Sequence, residues 1–585
     1  MKSIHRLLAI LTITLSISFA SCSLEEEPEY SLNTNTVFND QSTAETALMQ
    51  SYGHLGSSSL YGQFIHEVTI ANGFSWAKTD GERRERTVGY DAYAEEGLTS
   101  AVWQGFYKVI AESNYLIDGM EKSSLSQDYI NRSIAHARFL RGFAYYKLAN
   151  LFGKAIVITD PISTSNLHSA LSERELVYEQ ALSDLVFAAE NLPLTESMDG
   201  LATKSTAVAF VAKCYWIMGN HAQTNGNDAT QWYELAKKYG DQVLSAYSLE
   251  PNFENLWASN IANSPESIFQ VNFTLADGVQ NRSTFNFAPN TGWGGFAANS
   301  PSWGNYRVDR AFYDFHRGTY PDDPRMNTTY LTSFANHKSG GEIQYSYPFI
   351  KYNDWSSGEM VEVLYDMYED APRNTGDTPT NPDYDFETLP TPVQDVWKST
   401  YSWDRNLWPY NKKMTSVEAS NNYDPKNIII FRYADLLLLM ADVENELGNT
   451  GVALSYLNSV LNRARESGDG AVYPMNQVAL SQDELRDKIY FERLFELAGE
   501  PCLYEDIRRR GTEYLTKIIE LHNNSKNVMY RYEFETANSV GGQFRDYEIK
   551  NINEDFVRKN LVLPIPADEI TSNEELTLED QNFGY

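Results

Sequence analysis

The chain has 585 residues, with 47 Lys and Arg against 79 Asp and Glu, so its formal net charge is −32 at pH 7. Nucleic acids and anionic membrane surfaces are bound through clustered Lys and Arg, and so acidic a chain excludes both as main partners. Neutral ligands remain. The 38 Tyr, 28 Phe and 11 Trp are consistent with a sugar ligand, because aromatic rings offer flat faces on which sugar rings can pack.

The N-terminus has the layout of a secretory signal. A short basic region, residues 2–6, precedes an apolar run over 7–20 and then Cys22. This run has 14 residues, whereas a helix that spans a membrane needs about 20. We therefore predict a signal that is removed. Cleavage of residues 1–21 removes two basic residues and changes the formal net charge from −32 to −34.

Cys22 is the predicted site of lipidation. The sequence Phe19-Ala20-Ser21-Cys22 resembles a bacterial lipobox, in which the cysteine is acylated and becomes the new N-terminus. Phe19 stands where Leu is usual, and Ser21 stands where Gly or Ala is usual. Several acyl chains hold a protein at a membrane stably, whereas one does so only reversibly. We expect membrane attachment by this lipid anchor alone.

Residues 22–40 are predicted to form an acidic tether. The run from Ser23 to Glu29 is acidic and contains a proline, a composition that favours a solvated, disordered segment. The same run resembles the acidic signal that follows the lipidated cysteine in surface-exposed lipoproteins of Bacteroidetes. Both interpretations are compatible, because a tether must be flexible to carry a domain clear of the membrane.

Helices are predicted over the first part of the folded chain, from about residue 42 to 246. Apolar residues recur at three- and four-residue steps over 102–117, 134–151, 173–192, 203–218 and 232–247. Small residues face large ones at helix-pair spacing, which is typical of tetratricopeptide repeats, whose units bury their faces by stacking.

The pattern changes from residue 267 to 426. Short strand-like runs such as 267–273 alternate with Gly, Pro, Asn and Trp, and irregular segments on a rigid scaffold often carry binding. From Asn427 to Ala441 the chain is strongly apolar but contains two charges, which predicts a buried helix and not a membrane span. Further helices are predicted over 452–465 and 483–510.

Four motifs occur in a fixed order along the chain: Ala137-Arg138-Phe139-Leu140-Arg141-Gly142, Arg432-Tyr433-Ala434-Asp435-Leu436-Leu437-Leu438, Glu492-Arg493, and Pro564-Ile565-Pro566 with Gln581-Asn582-Phe583-Gly584-Tyr585. Together they resemble the SusD/RagB family of outer-membrane nutrient-binding lipoproteins, over nearly the whole mature chain. The family usually has Gly and Arg where this chain has Pro501 and Leu503. The resemblance implies a mainly α fold: a tetratricopeptide-like helix-pair scaffold with an irregular, loop-rich half.

The resemblance also implies one SusD-like domain over residues 41–585. The helical scaffold is expected over 41–266 and 427–511, the irregular ligand-binding region over 267–426, and a C-terminal segment over 512–585. The implied function is a lipoprotein of the outer membrane, facing the cell exterior. It would capture an oligosaccharide or polysaccharide and pass it to a partner, a SusC-like TonB-dependent transporter.

Some reactive residue types are predicted to be structural. Family positions within apolar helices hold charges that are expected to form ion pairs or caps, because buried charges need partners; they are Arg432, Asp435, Arg493 and Asp506. Two cysteines cannot make a disulfide-dense scaffold, so Cys214 and Cys502 are expected to be buried free thiols.

No catalytic signature was found. The chain contains no H-E-x-x-H, G-x-x-x-x-G-K or G-x-S-x-G motif, and its nine His are dispersed. We expect no enzyme activity and no cofactor, although oxygen-rich loops leave room for a structural calcium ion. Two alternatives stay open. One is a surface enzyme of the glycosidase class, whose paired carboxylates a sequence does not reveal; the other is a helix-repeat scaffold that binds only protein.

The candidate ligand-binding residues follow from composition, because the family supplies no fixed ligand motif. Trp76, Trp293 and Trp303 stand in polar loops bounded by glycines, where a ring is better placed to lie open than to anchor a core. We predict that they stack on sugar rings. The alternative is that each Trp pins its loop to the scaffold. Asp80, Arg83 and Asn305 are predicted to bind sugar hydroxyls, and Tyr306 completes the predicted ligand-binding set.

Overall fold

The structure is a computed structural model. It describes residues 37–77, 82–258, 264–275, 281–289, 300, 302–338, 341–346, 349–354, 360–364, 409–524, 531–534, 542–545 and 549–585. The predicted signal peptide, Cys22, most of the tether, Asp80 and Trp293 lie outside these residues.

Helices dominate the described part of the chain. They are α1 Gln41–Gly53, α2 Phe64–Val68, α3 Glu82–Val88, α4 Gly97–Glu121, α5 Gln127–Leu151, α6 Arg174–Asn191, α7 Lys204–Thr224, α8 Thr230–Gly240, α9 Ser283–Phe287, α10 Arg310–Thr319, α11 Arg325–Thr329, α12 Tyr433–Glu446, α13 Thr450–Glu466, α14 Gln482–Glu496, α15 Leu503–Asp506, α16 Gly511–Asn524, α17 Glu554–Lys559 and α18 Ala567–Ser572. Short 3₁₀ helices cover His54–Gly56, Phe253–Trp257, Lys412–Met414 and Leu578–Asp580.

The strands are short and belong to small antiparallel sheets. They are β1 Ser75–Ala77, β2 Ser267–Val271, β3 Tyr306–Val308, β4 Tyr330–Leu331, β5 Ser333–Lys338, β6 Gly341–Ser346, β7 Phe349–Asp354, β8 Met360–Leu364, β9 Tyr410–Asn411, β10 Ile428–Arg432, β11 Arg531–Phe534 and β12 Gly542–Arg545. β1 pairs with β3, β2 with β10, β4 with β9 and β11 with β12, and β5 to β8 form a meander.

Consecutive helices pack as pairs, which confirms the predicted scaffold. Helices α4 to α7 each pack on the next helix in the chain, and α12 packs on α8, α13 and α14. Close approach needs small residues at the contacts. A Cβ at Gly142 of α5 would lie 2.9 Å from the carbonyl oxygen of Ala181 in α6, so a larger residue there would force the helices apart.

The prediction of one apolar helix from Asn427 was wrong at its start. Ile428 to Arg432 form strand β10, buried throughout and paired with β2, and helix α12 begins only at Tyr433. Short β-branched runs favour buried strands, and periodicity alone does not separate them from buried helices. The predicted 483–510 helix also ends early, at Glu496. Gly499 has φ +76°, a left-handed conformation that a helix does not continue through, and Pro501 follows.

A small second core lies beside the main one, between α1, α4 and α5. Phe38 is buried there with Leu48, Leu116 and Met120. The predicted tether, residues 22–40, therefore extends too far, because Phe38 packs in this small core.

The predicted ion pairs are present and buried. Arg493 donates to Asp435 at 2.5 Å and to Asp506 at 2.9 Å. Arg432 contacts Glu266 and Glu496, each at 2.7 Å. Their side chains are at most 5% exposed, so the contacts act in a low-dielectric interior. These residues join helices to strands, as a structural role requires.

Both cysteines in the described residues, Cys214 and Cys502, are free and buried, as predicted. Burial raises the pKa of each thiol, so the reactive thiolate is disfavoured. No helix among the described residues combines the length and apolar composition that crossing a membrane would require.

Candidate functional site

Strands β1 and β3 bring two of the predicted binding loops together. Trp76 lies opposite Arg307, and Ala77 lies opposite Tyr306. The loop that contains Trp76 and the segment from Trp303 to Tyr306 are therefore neighbours, although they are far apart in the sequence.

Trp76 faces the protein interior. Its ring is 7% exposed and stacks on His522 of α16, with centroids 4.5 Å apart and an angle of 13°. His522 Nδ1 in turn lies 2.5 Å from Asp309 Oδ2. The preceding turn is tight, because Gly73 has φ +73° and a Cβ there would come within 2.4 Å of Ile518. This placement corresponds to the alternative in which the Trp pins its loop.

Arg83 and Tyr306 meet at one buried carboxylate. Glu67 Oε2 accepts hydrogen bonds from the Tyr306 hydroxyl at 2.6 Å and from Arg83 Nη2 at 2.9 Å. Burial and the Glu67 charge raise the pKa of Tyr306 well above its usual value, which keeps the phenol protonated as a donor. Tyr306 is 1% exposed, so it holds the segment from Trp303 to Tyr306 in place from the protein interior.

Trp303, unlike Trp76, lies at the protein surface. Its side chain is 51% exposed. The ring lies against half-buried Phe285 of α9, with centroids 5.3 Å apart and an angle of 35°. The Trp303 backbone N–H donates to the Phe285 carbonyl at 2.8 Å, which fixes the two residues relative to each other.

A second loop extends this surface. Asn422 donates its backbone N–H to Ser300 Oγ at 3.0 Å, and half-buried Tyr423 has the Arg282 guanidinium 5.9 Å from its ring centroid. We call Arg282, Phe285, Trp303, Asn422 and Tyr423 the Trp303 surface. It combines aromatic faces with amide and guanidinium groups, the combination that binds both faces and hydroxyls of a sugar.

Two buried amide oxygens near this surface, on Asn305 and Asn422, accept no hydrogen bond from the described residues. Asn305 donates from Nδ2 to Asn286 at 2.8 Å, but its Oδ1 has no hydrogen-bond partner among the described residues. The Oδ1 of Asn422 likewise has none within that part of the chain. A buried unpaired acceptor costs free energy until water or a ligand supplies a donor.

A buried polar network supports the surface from beneath. Asp424 accepts from the Thr284 hydroxyl and from the Lys426 backbone N–H, the latter at 2.9 Å. Lys426 Nζ donates to the carbonyls of Lys413 and Thr415, at 3.0 and 2.8 Å. Burial raises the pKa of Asp424 and lowers the pKa of Lys426 to about 8. Contacts to both Asp424 oxygens hold this carboxyl in place as a support, not as a free acid or base.

Sequence reasoning missed most of the Trp303 surface. Phe285 was hidden in a short polar helix, and Arg282 and Tyr423 carry no local signal of exposure. The Asn421-Asn422 pair did carry a sequence signal, because adjacent Asn residues favour turns. In the structure both residues adopt positive φ, 51° and 72°. No group of three or more His, Cys, Asp or Glu side chains that could hold a metal ion occurs within the residues described above.

Comparisons with known proteins agree with the fold. A family model described as the SusD family matches residues 265–585, which is more than half of the chain. A second model, described as starch-binding associating with outer membrane, matches residues 24–216. The relative SusD-like protein P2 of Formosa agariphila is 27% identical over 516 residues, covering 86% of this chain and 90% of that protein.

Solved structures share the architecture. A SusD homologue from Bacteroides thetaiotaomicron has a TM-score of 0.71 at 18% identity and covers 94% of this chain and 98% of its own. A laminarin-binding SusD-like protein has a TM-score of 0.62 at 20% identity and covers 94% of this chain and 100% of its own. The family models, the relative and the shared fold agree: the chain belongs to the SusD family.

Proposed function

We propose that the mature chain captures a glycan on the Trp303 surface, at the exterior of the outer membrane, without reacting with it. Lipid on Cys22 would anchor the chain, and a SusC-like TonB-dependent transporter would receive the glycan. The observation that carries this proposal is the half-exposed Trp303 ring, held against Phe285 by a backbone hydrogen bond of 2.8 Å.

The chemistry of the surface supports a neutral, polyhydroxylated ligand. Aromatic faces bind the apolar faces of sugar rings, and the guanidinium of half-buried Arg282, beside Tyr423, can donate to a hydroxyl. The family description as starch-binding and the laminarin-binding relative support the same ligand class. The net charge of −32 disfavours polyanionic ligands over most of the protein surface.

The expected contribution of Trp303 follows from its exposure. A fully buried aromatic side chain removes about 150–250 Å² from water. Covering the exposed half removes about 100 Å², worth about 2.5 kcal/mol at roughly 25 cal/mol per Å². Ordering costs offset part of this gain, so loss of the ring should weaken glycan binding about tenfold or more.

The test uses the lipid-free chain from Ser23 onward, run in native gels that contain soluble polysaccharides. We expect one polymer to retard the protein, and Trp303→Ala to abolish that retardation. Tyr115→Ala is the matched control, because Tyr115 is an aromatic residue of helix α4 with similar exposure, 47%. If the wild type is retarded and Trp303→Ala is retarded equally, the Trp303 surface is not the binding site.

The same preparation separates the alternatives. A glycosidase would release reducing ends from the retarding polymer, whereas the proposed binding protein releases none over many hours. A scaffold specific for protein would ignore every polymer and still be captured by a partner protein. Reducing-end release that is lost on a carboxylate substitution would overturn the non-catalytic assignment.

A further inference from the structure

A small cavity lies among the helices, apart from the Trp303 surface. Its volume is about 70 Å³. One ordered water needs about 10–15 Å³, and organic ligands occupy pockets of about 300–1,000 Å³. The cavity therefore has room for one small polyatomic ion and not for a sugar. It is lined by Asn150, Arg174, His221, Thr224, Asn225, Glu505, Arg508, Arg509, Gly511 and Leu561.

The lining is rich in positive charge, although the chain as a whole is acidic. Arg174, Arg508 and Arg509 all line the cavity, against the single carboxylate of Glu505. Glu505 is already ion-paired with buried Lys147, which neutralises it. The lining therefore contains no further carboxylate to balance its three guanidinium groups.

Two of these arginines form no ion pair with the carboxylates of the described residues. Among the described residues, no carboxylate oxygen lies within 4.0 Å of Arg174 or Arg508. Arg508 instead donates to the carbonyl oxygens of Asn560 and Ala71, at 2.8 and 2.9 Å. Carbonyl oxygens satisfy N–H groups but do not neutralise a charge, so an anion in the cavity would gain from both arginines.

Arg509 has a buried N–H group that donates no hydrogen bond to the described residues, although its guanidinium lies 4.6 Å from the Trp216 ring centroid. Its Nη1 donates to Asn220 at 2.8 Å and to Asp442 at 2.9 Å, and its Nε lies 3.5 Å from Asp506. Within the described parts of the chain, its Nη2 has no hydrogen-bond partner, and the residue is 1% exposed. Leaving a charged N–H unpaired in the interior is costly, so the site favours an acceptor.

Neutral donors complete the lining. Burial and the nearby Arg174 charge lower the pKa of His221 well below its usual value, so the ring is neutral and one nitrogen keeps its hydrogen. Helix α16 begins at Gly511 on the cavity wall, and the N-terminal end of a 14-residue helix carries partial positive charge. Thr224 and Asn225 add hydroxyl and amide groups.

We propose that this cavity binds one tetrahedral oxyanion, inorganic phosphate or sulfate, between Arg174, Arg508 and Arg509. Guanidinium groups match oxyanions because their paired N–H groups fit two oxygens at once. The bound anion bridges the start of α6, the end of α7 and the start of α16, so it fastens the N-terminal helix pairs to the C-terminal helices.

The experiment measures thermal melting and calorimetric binding of the lipid-free mature chain with sodium phosphate, sodium sulfate or sodium chloride at matched ionic strength. Phosphate or sulfate, but not chloride, should raise the melting temperature saturably. Arg174→Gln should weaken this binding about tenfold, as expected for loss of a charge-assisted contact. Arg174→Lys should restore part of it. Arg317→Gln, at an arginine whose side chain is 58% exposed, is the matched control.

Each outcome decides the proposal. Saturable binding of either oxyanion that Arg174→Gln weakens and Arg317→Gln leaves unchanged supports it, and the tighter anion identifies the occupant. Absence of saturation for both oxyanions, or equal effects of the two variants, overturns it. Arg174 begins a surface helix and is partly exposed, so its variants should fold. Glycan retardation by the same protein is scored separately and does not depend on this result.

Discussion

Glu496 is a position where one substitution should cost several kcal/mol of stability. It is fully buried and accepts from Arg325 at 2.8 Å, from Arg432 at 2.7 Å and from Arg463. Glu496→Gln keeps the shape but removes the negative charge, which leaves these guanidinium groups partly uncompensated. Arg432 and Arg463 also share Glu266, so the site retains some negative charge.

The expected size follows from the contacts. At an effective dielectric constant of about 20, one pair of unit charges about 4 Å apart contributes about 4 kcal/mol, so the three contacts amount to roughly 12 kcal/mol gross. Desolvation costs several kcal/mol per ion and offsets much of this, and breaking one side of a buried pair typically costs about 3–5 kcal/mol net. We expect that loss in the free energy of unfolding, measured by urea denaturation at pH 7.

The pH dependence gives a second readout. Burial alone would raise the pKa of Glu496, but Arg463, Arg432 and Arg325 outweigh it and hold the pKa well below its usual value. A depressed pKa adds stability above the unfolded-state value of about 4.3, and that stability is lost as pH falls through the folded-state pKa. The difference in the free energy of unfolding between wild type and Glu496→Gln should therefore stay constant from pH 7 to about 4.5 and become smaller at lower pH.

Glu513→Gln is the matched control, because Glu513 is 75% exposed and pairs with Lys517 at 3.3 Å on the surface. It should change the free energy of unfolding by no more than about 0.5 kcal/mol. If Glu496→Gln is as stable as Glu513→Gln, the reasoning about the buried cluster is refuted.

Three further predictions concern the stability of the fold and the reactivity of its thiols. Trp76→Ala should lower the free energy of unfolding by about 3–5 kcal/mol, because it removes a buried ring stacked on His522; an unchanged urea midpoint would contradict this. Cys214 and Cys502 should react with a thiol reagent only after denaturation, since burial raises both pKa values; rapid labelling of the folded chain would argue against it. Ser481→Ala should cost about 1 kcal/mol by removing the capping box of α14, again measured by urea, and a neutral effect would mean that the helix start is held by other contacts.

The helical scaffold could be predicted because its signals are local. The 3.6-residue periodicity over 134–151 predicts a helix, and the structure has helix α5 there. The small residue Gly142 allows α5 to pack closely on α6. The strand at Ile428–Arg432 could not be predicted, because its partner β2 comes from a distant part of the chain and a short apolar run has no distinctive period.

The candidate site was harder to predict for the same reason. Trp76 and Trp303 both stand near glycines in polar loops, yet one is 7% exposed and the other 51%. The difference is decided by His522, which covers Trp76, and by Phe285, which supports Trp303 while leaving much of its ring open. Neither partner is near its tryptophan in the sequence. The predictions for Asp80, Trp293 and Cys22 lie outside the described residues and stay predictions.

The most direct test of glycan capture by the Trp303 surface is calorimetric titration of the lipid-free chain with oligosaccharides cut from the retarding polymer. We predict saturable binding that Trp303→Ala weakens about tenfold or more. Tyr115→Ala should leave the affinity unchanged, and the circular dichroism spectrum of Trp303→Ala should match that of the wild type. Binding that is equally strong in Trp303→Ala and wild type would contradict the account, because it would place the glycan elsewhere on the protein.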